Sequence, residues 1–261
     1  MMTDNENIDL TYVEGRTDTK FWAIGAILAA LYGVGSLIPV SGFIIGGGIA
    51  ANISFTLLIA PLFGILLGPW RGGAFGIVGG LIALVLGGSG GLFLAIPFLF
   101  LSPAISGFLT GLCTTSQVHG KWVPAAGITA LYIWAIMTLY LIVNAQAWWF
   151  MAYYALAMVV AFGLELTDST LDFEKVKENK IWTLIPYLII GTVTDFSMMT
   201  MGAVYIFQIP AAVFGFVIFP AMLIERTAAI IVSLIIVIAV VKAFPDIWGV
   251  TSEHKVIEDS L

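Results

Sequence analysis

Three ionisable residues, Asp195, Glu225 and Arg226, lie inside long apolar stretches. Every other charged residue falls in a tail, in a short polar loop, or at the end of an apolar run. A charge near the bilayer centre costs at least about 2.5 to 3.5 kcal/mol on insertion scales, so such groups face protein or a water-filled cavity and serve an ion or a solute by default. Asp195 stands 14 residues beyond Ile181, where its apolar stretch begins, roughly 21 Å along a helix. Arg226 stands 16 residues before Lys242, roughly 24 Å by the same rise. With Ile181 and Lys242 at the inner face, all three groups reach a similar depth in the outer half. There Arg226 can grip a carboxylate or phosphate through its planar fork. The competing reading is that Arg226 and Asp195 neutralise each other and only fix helix packing. Neighbours along a helix point different ways, so Glu225 and Arg226 need separate partners. Thr194 and Asn52 add a hydroxyl and an amide near the same level, with Gln208 and Ser54, although such groups often bond only to backbone in membrane helices.

Other chemistry finds little footing. Asp168 and Asp172 have the i, i+4 acidic spacing with which some membrane prenyltransferases hold magnesium pyrophosphate. Here they sit in a loop rich in Glu and Lys, without a second acidic cluster, and read as a solvated linker. His119 and His254 lie in polar segments with no nucleophile arrangement nearby. The single cysteine, Cys113, excludes a disulfide framework and a Cys-based zinc site. No G-x-x-x-x-G-K-[ST] motif is present, so an ATP-driven step belongs to a partner. The expectation is a protein without catalysis, metal or cofactor.

The elements that must position the three charges follow from composition. The chain has 261 residues, 60% of them hydrophobic and 10% charged, with a mean hydropathy of +1.05, against about 25% charged in a soluble domain. A soluble reading is excluded. The net charge of -6 comes mostly from the N-terminal tail and the segment Glu165 to Lys180, and it offers no Lys/Arg cluster for nucleic acid. Eight apolar stretches approach the roughly 20 residues of a membrane span: Phe21 to Ile38, Ala50 to Gly68, Gly73 to Leu86, Leu92 to Thr115, Val123 to Val143, Trp148 to Leu166, Ile181 to Met201, and Ala211 to Val241. Pro220 offers a point at which the last divides, and Pro97 and Pro103 suggest a non-helical entry to the fourth. With eight crossings, Arg16, Lys20, Arg71, Lys121, Lys175, Lys177, Lys180, Lys242 and Lys255 all fall on one side, and the opposite loops carry no charge. Basic residues mark the cytoplasmic face. The expected fold is an all-α polytopic helix bundle of about eight spans, or six if two short stretches do not cross, with both termini cytoplasmic. Trp148, Trp149, Tyr153 and Tyr154 open span six at the outer face and read as an interfacial belt.

The first span carries two adjacent rows of small residues four apart, Gly25, Ala29, Gly33 and Ala26, Ala30. Such a stripe lets another helix approach closely, whether from the same chain or from a partner. At this point the chain resembles a family. The Ala-x-x-x-Ala of Ala26 and Ala30 is followed by the Gly-Pro-Trp-Arg-Gly turn at Gly68 to Gly72 and by a Pro-rich entry leading to Ser106-Gly-Phe-Leu-Thr-Gly111. The closing Pro220-Ala-Met-Leu-Ile-Glu-Arg226 completes the likeness. Together these are similar to the substrate-binding S component of energy-coupling factor (ECF) transporters. The resemblance covers about the first 115 residues and again residues 181 to 242. It implies a membrane protein that captures a vitamin, a vitamin precursor or a similar small solute at its outer face. It also implies partners, a transmembrane T component and two ABC-type ATPases, with Ala26 and Ala30, flanked by Gly25 and Ala29, as the T-component interface. The family usually has six spans, so residues 122–180 look like an insertion of two spans with a cytosolic loop at 165–180.

The expected organisation is a cytosolic tail at 1–20, weakly ordered, a transmembrane domain at 21–242 and a cytosolic tail at 243–261, in the cell membrane. The expected substrate-binding residues are Asp195, Glu225, Arg226, Thr194 and Asn52. A stand-alone secondary transporter or channel, and a membrane-embedded transferase using Asp168 and Asp172, are the rival functions.

Overall fold

Gly68 decides the course of the first half of the chain. Its backbone (φ 74°, ψ -176°) lies in a region that only glycine enters readily, and Pro69 follows. In the computed structural model, which describes residues 6–45, 49–86, 101–115, 117–118, 121–178, 180–244 and 247, the chain reverses there. Helix α2 (Ala60–Val85) is therefore two arms, 60–67 and 69–85. A methyl group at Gly72 would stand 2.6 Å from the carbonyl oxygen of Phe63, an approach that a straight helix forbids for residues nine apart.

Before this turn come α1 (Glu6–Gly35), an antiparallel hairpin of β1 (Pro39–Ile45) and β2 (Ile49–Ser54), and a 3-10 turn (Phe55–Leu58). Helix α1 begins at Glu6, so most of the N-terminal segment expected as a weakly ordered tail is helical. After it comes α3 (Ser102–Cys113), a two-residue hairpin of β3 (Gln117–Val118) and β4 (Lys121–Trp122), and then α4 (Ala125–Asn144). A 3-10 segment (Ala145–Met151) with a non-helical Ala147 turns the chain into α5 (Ala152–Leu166), which packs against α4. The short α6 (Phe173–Lys177) and a 3-10 turn (Ile181–Leu184) lead into α7 (Ile185–Tyr205).

The chain ends in one helical stretch of 33 residues, 211–243, made of α8 (Ala211–Val213), a π-helical turn (Phe214–Ile218) and α9 (Phe219–Ala243). The sequence suggests a division at Pro220. The structure keeps the helix continuous, with Pro220 in the first turn of α9, where its missing N–H and its ring are met by the wider π turn before it. Trp149 sits on that turn, donating its indole N–H to the carbonyl of Gly215 at 3.2 Å.

Among the described residues, four helical stretches are long and apolar enough to cross a membrane: 60–85, 125–166, 181–205 and 211–243; 19–35 and 102–113 are shorter apolar helices. The outer surface agrees. Leu131, Ile142, Val159, Phe162, Ile224 and Ile235 are all more than half exposed, an apolar surface that lipid, not water, accommodates. Ala50 to Gly68, expected as one span, is instead part of β2, the 3-10 turn and the eight-residue first arm of α2. In the fourth stretch helix begins at Ser102, and residues 92–100 lie outside the described residues.

The C-terminal end of α3 draws two basic connections together: Gly111 packs on Gly68 and Pro69, just before Arg71, and Thr114 holds the segment that leads to Lys175, Lys177 and Lys180. Arg71 stands over the ring of Phe21 at 5.2 Å, Glu165 accepts from the Gly127 N–H at 2.9 Å, and Leu171 donates its N–H to Thr114 at 3.2 Å. Between α5 and α7 the polar segment forms local ion pairs, Lys177 with Glu174 and Lys180 with Glu178, both at 2.8 Å. It pins itself to the bundle through the buried Val176 and Leu184.

The tightest packing joins α2 to α3. Gly72 and Gly76 on α2 oppose Gly107 and Pro103 on α3, and Gly64 and Gly68 meet Gly107 and Gly111. A methyl group at Gly76 would lie 2.5 Å from the carbonyl oxygen of Pro103, and one at Gly111 would lie 2.5 Å from Pro69 N. The backbones touch, as small-xxx-small rows permit.

Candidate functional site

Helix α7 is polar on its buried faces. Thr192, Thr194, Asp195, Ser197 and Thr200 are all at most 4% exposed. A helix with such residues is stable in an apolar interior only if each polar group finds a partner, and here the partners come from several neighbours. Ser106 of α3 donates to the Gly191 carbonyl at 2.8 Å. Tyr132 of α4 pairs with Ser197 at 2.6 Å, and Tyr154 of α5 with Thr200 at 2.7 Å.

Asp195 is the centre of this arrangement. The one hydroxyl proton of Ser102, the first residue of α3, is shared between two acceptors of Asp195, its carboxylate Oδ1 at 3.0 Å and its main-chain carbonyl. The carboxylate thus stands at the N-terminus of α3, where unpaired N–H groups favour negative charge. On the other side Arg226 of α9 approaches, its Nη1 3.6 Å from Asp195 Oδ2. The same Nη1 donates to the Thr192 carbonyl at 3.1 Å, and the guanidinium lies 4.5 Å from the centre of the Phe196 ring. Arg226 is 1% exposed, the largest fully buried side chain described. Its Nε has no hydrogen-bond partner, and the hydroxyl of the buried Tyr153 meets the Thr192 side chain within the field of Arg226. Tyr32 of α1, also buried, carries its hydroxyl beside Thr56 within electrostatic reach of Asp195 and Arg226.

Of the residues singled out in the sequence, Asp195 and Arg226 are brought together directly, and Glu225 is buried on the same turn of α9. Thr194 is buried but turns its hydroxyl back onto its own helix, to the carbonyls of Ile190 at 2.9 Å and Gly191 at 3.1 Å, which leaves it no donor for a ligand. Asn52 pairs through its backbone with Gly42 in the β1–β2 hairpin; its side chain lies outside the described residues. Ser102, Phe196, Thr192, Tyr32 and Tyr153 escaped the sequence reading. Ser102 carries a signal in hindsight, a hydroxyl beside a proline at a helix start. Tyr153 looks like a belt aromatic until its burial is seen, whereas its neighbour Trp148 is 67% exposed.

The two rows of small residues on α1 part company. Gly25, Ala29 and Gly33 are buried against α2, where Phe75, Gly79 and Ile82 meet them. Gly25 and Ala29 are therefore taken up by packing within the chain and do not present a surface to another subunit. Ala26 and Ala30 are exposed.

Asp172 accepts the Glu174 N–H at 2.9 Å as the N-cap of α6 and pairs with Lys175 at 3.5 Å. Asp168 occupies a left-handed turn position (φ 47°) that aspartate tolerates better than most residues. Both act as loop-shaping residues.

Comparison of the chain with protein-family models, with curated proteins and with solved structures found no match.

Proposed function

We propose that the chain is the solute-capturing subunit of an importer of the energy-coupling factor kind, multi-pass in the cell membrane, with about eight crossings and both termini cytoplasmic. The observation that carries this reading is the two-faced first helix. Its inner small-residue row is pressed onto α2, while Ala26 and Ala30 face outward and leave a flat strip on which a T component can lie. The buried Asp195–Arg226 pair supports the second half of the reading, capture of a solute, because intramembrane charges of this kind serve a ligand by default. The place of Arg71 and of the segment that carries Lys175, Lys177 and Lys180 near the same end of α3 supports the orientation, since basic connections favour the cytoplasm. The use of Asp172 as a helix cap weighs against a magnesium-dependent transferase. A stand-alone transporter is the remaining rival.

The test is co-expression with T component and ATPase subunits. Co-purification of all of them, with ATP-dependent uptake, is the expected result. Proton- or sodium-driven uptake by the chain alone in liposomes would replace this reading with the rival.

A further inference from the structure

We propose that Arg71 grips the phosphate of an anionic phospholipid, whose headgroup sits in the cleft beside the Gly68 reversal. The site rests on the orientation proposed above, which puts this end of the bundle at the cytoplasmic surface, and it does not need the importer.

The cleft has a volume of about 610 Å³, and among the described residues Leu67, Pro69, Trp70 and Arg71 line it. Leu67 is buried, whereas Trp70 is 60% exposed. The indole is nevertheless fixed, edge-on against Phe108 of α3 at 5.4 Å. Arg71 is fixed by α1, its guanidinium 5.2 Å from the centre of the Phe21 ring. A ring covers a face of the guanidinium, but the five N–H donors lie in its plane, where they meet a phosphate in fork geometry. Two contacts from neighbouring helices thus set a cation beside an exposed indole.

The cation selects a phosphate, and the surface around it selects the phosphate that a lipid carries. Lys20 directly precedes Phe21, so a second cation belongs to the same turn of α1. Arg71, Phe75, Val78 and Val85 are spaced i, i+4, i+7 and i+14 and share one face of the second arm of α2. On that face Phe75 packs on Trp22 at 5.3 Å, Trp22 is 57% exposed, and Val78 and Val85 stand exposed beyond it. The surface therefore passes from guanidinium through indoles to aliphatic side chains, the order in which a phospholipid passes from phosphate to acyl chain. A soluble phosphate compound would use only the first part.

The experiment titrates the full chain in detergent with phosphatidylglycerol or phosphatidylcholine and reads the lipid-bound fraction by native mass spectrometry. Wild type is expected to hold phosphatidylglycerol about tenfold more tightly, the difference that one charge-assisted contact makes. Arg71→Gln is expected to lose that preference. Arg71→Lys keeps a cation without the fork and is expected to fall between. Lys180→Gln removes the same charge from an exposed position in another basic connection and is expected to keep the full preference. Should Arg71→Gln fail to fold, Arg71→Lys against Lys180→Gln decides.

Equal binding of the two lipids by wild type overturns the proposal. So does an equal loss in the Arg71 and Lys180 variants, which means diffuse attraction to basic connections, or an undiminished preference in Arg71→Lys, which removes the fork. Release of phosphatidylglycerol by excess inorganic phosphate also overturns it, because the ligand is then a soluble phosphate. The assay has no membrane sides, so a reversed orientation leaves its result standing. A preference carried by Arg71 in a chain that assembles with no T component likewise removes only the importer.

Discussion

Gly72 and Gly107 meet backbone to backbone: a methyl group on Gly107 would stand 2.5 Å from the carbonyl oxygen of Gly72, and one on Gly72 would stand 3.0 Å from that of Gly107. No side-chain adjustment relieves such a clash, because the atoms in the way are main chain.

Gly72→Ala and Gly107→Ala are expected to destabilise the protein by about 1 to 3 kcal/mol or more through overpacking. Gly68→Ala meets no atom but forces a side chain into a glycine-only conformation, also about 1 to 3 kcal/mol. Gly163 sits in α5 with open space around it, and alanine there is expected to be neutral or stabilising by about 0.5 to 1 kcal/mol. Unfolding midpoints in detergent rank the four variants; a Gly107→Ala protein as stable as Gly163→Ala would contradict the packing described.

The pair at the centre of the site separates structure from function. Asp195→Asn or Arg226→Gln alone leaves one buried charge without its counter-charge and is expected to cost about 3 to 5 kcal/mol, whereas Asp195→Leu with Arg226→Met removes both and costs far less. The double variant is expected to fold and yet fail to bind solute. Normal solute affinity in that variant, measured by calorimetry, would reduce the pair to a packing device.

On α1 the two rows make opposite predictions. Ala26→Leu with Ala30→Leu is expected to abolish assembly with the T component in a pull-down while solute binding and unfolding temperature hold. Ala29→Leu, set against Gly79, is expected to lower the unfolding temperature itself, with a cost of about 1 to 3 kcal/mol. Equal behaviour of the two rows would dissolve the distinction.

Asp172→Ala removes a helix cap and is expected to cost about 1 kcal/mol, locally in α6. Solute uptake is expected to be unchanged, with magnesium in the assay or chelated. A collapse of activity specific to magnesium would revive the transferase.

What the sequence disclosed follows from what hydropathy measures. α4, α5 and α7 appear close to the expected stretches, because each is a continuous apolar run closed by polar or turn residues. The reversal at Gly68 was visible too, as Gly-Pro between two runs. Ala50 to Gly68 misled, since an apolar hairpin strand, a 3-10 turn and a half-length helix are as hydrophobic as a span. Pro220 misled for a different reason: a π turn absorbs it, and no local residue pattern announces one. Asp195 and Arg226 could be found, because charge in lipid is conspicuous. Ser102 could not, as its contact with Asp195 depends on which helices lie side by side.

Ser102 holds Asp195 by its main chain as well as by its carboxylate. A solute that pulls on the carboxylate therefore pulls on the first turn of α3. That helix cannot slide along α2, since the glycines interlock their backbones, and α2 in turn carries α1 on the row of Gly25, Ala29 and Gly33. The outcome is a mechanical train of three stiff joints. At one end is the buried Asp195–Arg226 pair; at the other is the exposed row of Ala26 and Ala30, so in the proposed importer occupancy and docking would act through one connected set of helices.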